Sequence, residues 1–224
     1  NYEALDPLWR MLLPVLAAGL LALMFWRFGQ GLHSLGIARV LDRMAHHQGR
    51  MTARGFWLQF GGAALAIVGG HSVGREGPHA FLGAAAGSLL GQSLRLPHNV
   101  LRTLVGCGTA AGIAASFNTP LAGVIFALEV VMMEYSVASF IPVILAAVSA
   151  TTLSNLVFGH APAFDIPAVG IVALDQLGLV VLLGLAAGTL SAAFIVLVRQ
   201  TATHTAAVPF PARLMLAGAV MVPF

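Results

Sequence analysis

Three long stretches of this chain contain no Asp, Glu, Lys or Arg, and they decide which solvent it can fold in. They run from Thr103 to Leu128, from Tyr135 to Phe164 and from Gln176 to Val198. Each is long enough for the roughly 20 apolar residues that cross a hydrocarbon core. Only 8% of the 224 residues are charged and the mean hydropathy is +0.90, against about a quarter charged in a soluble domain. Most of the surface must therefore face lipid, and several spans make the protein polytopic. Leu12 to Trp26 follows acidic residues and lacks a small-residue cleavage site, so it does not read as a signal peptide. A start at Asn1 and an end inside an apolar segment are expected of an excerpt of a longer protein.

All eleven formal positive charges are arginines, and Arg39, Arg43, Arg50 and Arg54 crowd one short connection. The positive-inside bias places that connection in the cytoplasm. Basic residues without interleaved aromatics form no nucleic-acid patch, so no nucleic-acid partner is expected. Cys107 is alone and cannot form an internal disulfide. The eight histidines include the pair His46 and His47, but none has the i, i+4 spacing and nearby carboxylate of a zinc helix. No metal and no cofactor are expected, and no nucleophile or phosphate-loop motif marks a hydrolase.

Charge-free runs broken by Gly, Pro and polar residues predict helices over Leu8–Phe28, Gly36–His46, Gly55–Val68, Pro78–Leu94, Asn99–Ala115, Pro120–Tyr135, Ala138–Phe158 and Leu174–Arg199. A last apolar segment begins near Arg213. The chain reads as one all-helical transmembrane domain over residues 1–224. Gly36–His46 and Pro78–Leu94 are short for a full span and follow glycine-containing sequence. They are expected to be half-helices meeting near the midplane, because irregular backbone is tolerated in a membrane only where it is buried or lines a polar cavity, and such breaks tend to mark binding sites. Gly83, Gly87 and Gly91, and likewise Gly184 and Gly188, repeat every fourth residue and predict close helix packing.

Gly74-Arg75-Glu76-Gly77-Pro78 sets two opposite charges between apolar runs. Proline suits the first turn of the following helix, where its missing N–H costs nothing. The glycines let the backbone turn and expose successive N–H groups, and the helix dipole adds partial positive charge there. This makes an anion cradle. A carboxylate at Glu76 is itself an anion and would compete for that cradle, so its protonation could open the site. Taken alone, the motif is better read as an interfacial loop in which Glu76 only caps the helix. A second segment changes that balance: Ala115-Ser116-Phe117-Asn118-Thr119-Pro120-Leu121-Ala122-Gly123, with Phe126 and Glu129.

Together the two motifs, with Gly83 and Gly87 between them, resemble the CLC family of chloride channels and chloride/proton antiporters, and the similarity runs from the first long helix to about Arg199. The resemblance implies the first of two inverted repeats of a CLC-type fold, with residues 1–173 as that repeat and 174–224 as the start of the second. It implies a homodimer in the plasma membrane with one pore per subunit, a halide anion and protons as transported partners, and lipid around it. Glu76 is implied as the gating and proton-carrying residue. The implied anion-binding set, acting mainly through backbone amides, is Leu35, Gly36, Ile37, Arg75, Glu76 and Gly77.

Two positions depart from the family pattern. Leu35 falls where a serine hydroxyl usually meets the central anion, and an aliphatic side chain cannot donate a hydrogen bond; Ser34 is one residue away, about 100° around a helix. Fluoride/proton antiport is therefore an alternative to chloride transport. Val130 stands where the antiporters carry an inner, proton-passing glutamate, which leaves Glu129 as the candidate proton relay and Glu134 as a substitute. Asn118 is expected to be scaffold. The rival classes are an intramembrane enzyme, which would need facing polar residues within the bilayer, and a structural membrane scaffold, which would leave an intramembrane Glu76 unexplained.

Overall fold

The structure is a computed structural model that describes residues 6–29, 36–71, 73–159, 177–205, 208, 209, 212, 213 and 215, with the side chains of Pro7, Leu8, Arg10, Met11 and Leu177 excepted. Among these residues it is all α. The helices are α1 (Pro7–Phe28), α2 (Ile37–His46), α3 (Ala53–Val68), α4 (Glu76–Ser93), α5 (His98–Phe117), α6 (Pro120–Phe126), which runs on as a π-helical segment (Ala127–Met132), α7 (Val137–Phe158) and α8 (Leu177–His204). Helices α5, α7 and α8 are long and apolar enough to cross a membrane. The segment expected from Arg213 lies almost wholly outside the described residues.

Helix starts follow local chemistry. Thr52 caps α3 by accepting from the Gly55 N–H at 3.2 Å, and Ser136 caps α7 by accepting from the Ser139 N–H at 3.2 Å, each satisfying a donor that the first helical turn leaves free. Helix α3 thus begins two residues before the position the apolar pattern predicted. Helix α4 also begins earlier, at Glu76, so Glu76 and Gly77 belong to its first turn together with Pro78. Helix α2, with 10 residues, is about 15 Å long at 1.5 Å per residue, half of a hydrocarbon core of about 30 Å.

The core lies where α4, α5, α6 and α7 meet, around Phe81, Ala84, Val105, Ala110, Val124 and Val143. Helices α4 and α5 cross backbone to backbone. A Cβ on Gly83 would strike the carbonyl of Gly108, and one on Gly108 would strike the carbonyl of Gly83. Gly87 stands against the Leu104 carbonyl and Gly91 against the Leu101 and Leu104 side chains, so the predicted packing role of this repeat is met. Gly184 and Gly188 differ: no described atom lies within 4 Å of a Cβ placed on either. Helix α8 exposes its apolar residues throughout, and nothing within the described residues covers it.

A buried polar clamp fixes the arginine-rich connection to the bundle. Ser88 on α4 donates to the Gly49 carbonyl at 2.6 Å and accepts from the Met51 N–H at 2.9 Å, while Gln92 donates to the Met51 carbonyl at 2.9 Å and to Ser88 Oγ at 3.0 Å. Gly49 turns at φ +76°, and a Cβ there would press on Met44, Leu101 and Val105. The turn needs glycine for both reasons.

Candidate anion site

The start of α4 is open. No side chain caps it, Arg75 is its boundary residue, and the first turn carries Glu76, Gly77 and Pro78. Pro78 has no N–H, and a Cβ on Gly77 would meet nothing within 4 Å. The amides of Glu76 and Gly77 therefore end a helix dipole without a capping side chain, as an anion site requires. The Glu76 carboxylate folds back over its own loop, where Oε2 takes the space that a Cβ on Gly74 would need. Gly74, Arg75 and Glu76 are all exposed.

Arg75 is held by the other motif. Its guanidinium lies over the Phe117 ring, 5.5 Å from the centroid. Beside it a cleft of about 750 Å³ is lined by Arg75, His79, Ser116, Asn118, Ser154 and Asn155 among others. Ser116 Oγ donates to the Gly112 carbonyl at 2.7 Å and stands 2.7 Å from His79 Nδ1. With its single proton committed to Gly112, Ser116 accepts from a protonated Nδ1. Asn118 ends α5 in the left-handed conformation at φ 56°, one that asparagine tolerates better than most residues. Its Oδ1 accepts from Asn155 Nδ2 at 3.0 Å, and Ser154 donates to the Ala115 carbonyl at 3.2 Å, so the turn is braced by α7.

The second half-helix start is differently arranged. Leu35 and Ser34 lie outside the described residues. Gly36 precedes α2 at φ 71°, and its N–H donates to Gln59 Oε1 on α3 at 2.8 Å. The amide expected to face the ion is thus taken by a side chain of the protein. Ile37, the first residue of α2, packs against the core. Helix α2 packs on α4 and on the π-helical segment, and α3 packs on α4, so the elements carrying the two starts are joined.

Glu129 and Glu134 sit at the far end of the α6 unit, both exposed, with Val130 half-buried. Glu129 lies in the π-helical segment, so its angular offset from Val130 is smaller than an α-helix would give. The sequence reading missed Gln59, His79 and Asn155. Gln59 carried a signal, as the one polar side chain inside the apolar run Phe56–Val68. His79 and Asn155 carried none, since their partners lie 37 residues away.

A family model described as voltage gated chloride channel matches residues 6–224. The ClcB-like protein of Ralstonia nicotianae is 35% identical over 191 residues, covering 81% of this chain and 44% of its own length. The H(+)/Cl(−) exchange transporter ClcA of Vibrio cholerae is 33% identical over 140 residues, covering 61% of this chain and 30% of its own. The chain thus spans less than half the length of these relatives. A crystal structure of a slow cyanobacterial Cl−/H+ antiporter matches 97% of this chain and 53% of that one with a TM-score of 0.82 at 22% identity, a likeness of fold.

Proposed function

From the premise that the chain belongs to the voltage gated chloride channel family, we propose that it forms part of a halide pathway gated by Glu76. Members of this family are integral membrane channels or transporters, not enzymes. The observation that carries the gate is the pairing of the uncapped α4 start with a Glu76 carboxylate folded back over Gly74. An ionised carboxylate and a halide held about 4 Å apart repel by about 4 kcal/mol at an effective dielectric of about 20, roughly a thousandfold in occupancy. The two do not share the cradle. Protonation of Glu76 removes the repulsion and admits the ion, so acid pH favours flux.

In this reading Arg75 raises the local anion concentration at the mouth, and the amides of Ile37, Glu76 and Gly77 replace the ion's hydration. Glu129 is the proposed proton relay, exposed on the π-helical segment. The full protein is proposed to be a plasma-membrane homodimer, with the uncovered apolar faces of α7 and α8 meeting lipid or further protein.

Efflux of chloride and of fluoride from liposomes holding the full-length protein, with external pH recorded, tests this against Glu76→Ala. Efflux coupled to proton movement in the wild type and uncoupled in the variant is the expected result, and the preferred anion separates chloride from fluoride transport. Anion efflux without proton movement in the wild type makes the protein a channel. No efflux of either anion overturns the proposal.

A further inference from the structure

Gln59 is a neutral, hydrogen-bonding side chain that is 8% exposed on a helix otherwise apolar around it. Burying a carboxamide is unfavourable unless its donors and acceptor are used. Its orientation is fixed by chemistry: the Gly36 N–H can only donate, so the oxygen of Gln59 must face it at 2.8 Å, and the reversed amide would set donor against donor. The Nε2 amino group lies in the same carboxamide plane, on the opposite side of the Cγ–Cδ axis from that oxygen.

Four other polar side chains are buried among the described residues, Ser88, Thr109, Ser139 and Thr151. Each is engaged: Ser88 with Gly49, Thr109 with the Val105 carbonyl, Thr151 with the Ala147 carbonyl, and Ser139 with the Ser136 hydroxyl. The Nε2 of Gln59 has no hydrogen-bond partner among the described residues, and it is not one of their fully enclosed unpartnered atoms, which are His71 Nδ1 and Arg213 Nε, so its two N–H donors open onto the space beside them. They do so at the start of a 10-residue helix, where partial positive charge already favours an anion.

We propose that Gln59 is a halide ligand and specificity-determining residue at the α2 start, supplying the side-chain N–H donor that Leu35 cannot. This rests on the halide pathway proposed above. The oxygen of Gln59 holds Gly36 and so sets the direction of the helix start, while its amino group meets the ion. Gly36 then acts through Gln59, and the direct donors are Nε2 and the Ile37 amide.

Halide binding to the full-length protein, measured by calorimetry with chloride and with fluoride alongside liposome efflux, tests the assignment. Gln59→Met keeps the volume and removes both polar atoms, and it should weaken binding of the transported halide about tenfold or more, the cost of losing a hydrogen bond to a charge. Binding within twofold of wild type, with efflux retained, overturns the inference and leaves the pathway standing. Gln59→Glu keeps the oxygen that holds Gly36 and replaces the amino group with a group that donates only when protonated. In a Glu76→Ala background it should make halide affinity fall about tenfold from acid to neutral pH. Affinity independent of pH in that variant means that Gln59 only supports α2, and overturns the ligand role. Wild-type protein that neither binds nor moves either halide overturns the pathway and the inference together.

Discussion

The guanidinium of Arg75 rests on the ring of Phe117, 5.5 Å from its centroid. Two residues 42 positions apart are joined by that contact, one in the loop that opens α4 and one at the end of α5. A cation over an aromatic face contributes about 0.5–1 kcal/mol at an exposed site, enough to bias where a mobile arginine spends its time. It holds the charge beside the cleft and next to Glu76.

Arg75→Gln should reduce halide flux several-fold at low ionic strength, with the deficit shrinking as salt rises, because attraction over more than a Debye length is screened. Arg75→Lys should keep most of the flux. Flux by Arg75→Gln equal to wild type at low salt would remove Arg75 from the entrance.

Gly74→Ala tests the resting place of Glu76. A Cβ at position 74 claims the space of the Glu76 carboxylate, so the carboxylate must leave. Halide flux at neutral pH should rise toward the level reached by wild type in acid. In a Glu76→Ala background the same substitution should do nothing further, and an equal effect in both backgrounds would show that the loop itself had changed.

Gly83→Ala or Gly108→Ala forces apart two backbones that now touch. Overpacking of this kind costs about 1–3 kcal/mol. The double variant should cost clearly less than the sum, because the first methyl already opens the gap that the second needs. Thermal unfolding of the full-length protein in detergent reads this out, and strict additivity would argue against direct contact.

Ser88→Ala strands the Met51 N–H and loosens the Gly49 carbonyl, both buried. A loss of about 1–3 kcal/mol is expected, seen as a lower midpoint in the same unfolding assay. Asp42→Asn should change little, since the contacts of Asp42 with His46 at 3.3 Å and His47 at 3.9 Å are exposed. Equal effects of the two would show that burial is not what gives the clamp its strength.

The spans were legible because absence of charge over Thr103–Leu128 or Tyr135–Phe164 leaves a membrane as the only stable solvent. Helix starts were less so. Apolar periodicity begins at Gly55 and Pro78, whereas the first turns begin with capping or charged residues, so Thr52 at α3 and Glu76 at α4 fell outside the pattern. The uncapped α4 start at Gly74–Pro78 was readable as backbone chemistry, since glycine, proline and dipole act locally. The bond between Gly36 and Gln59 was not, because it joins residues 23 apart that only the packed bundle brings together. For Gly184 and Gly188 the spacing names no partner by itself, and none lies within 4 Å among the described residues.

The π-helical segment Ala127–Met132 gives the end of the α6 unit an evolutionary freedom that a plain α-helix lacks. Its i to i+5 bonding accommodates one residue more per turn than the α ladder before it. Loss of a single codon there could be absorbed by a return to α geometry, with the flanking helix kept in line. Side chains beyond the deletion would then nearly keep their bearing, because the larger rotation per residue of the α-helix makes up for the one that is lost. The bearings of Glu129 and Val130 are thus buffered against a one-residue change of length in this segment, and trading a carboxylate for valine at either bearing takes a substitution.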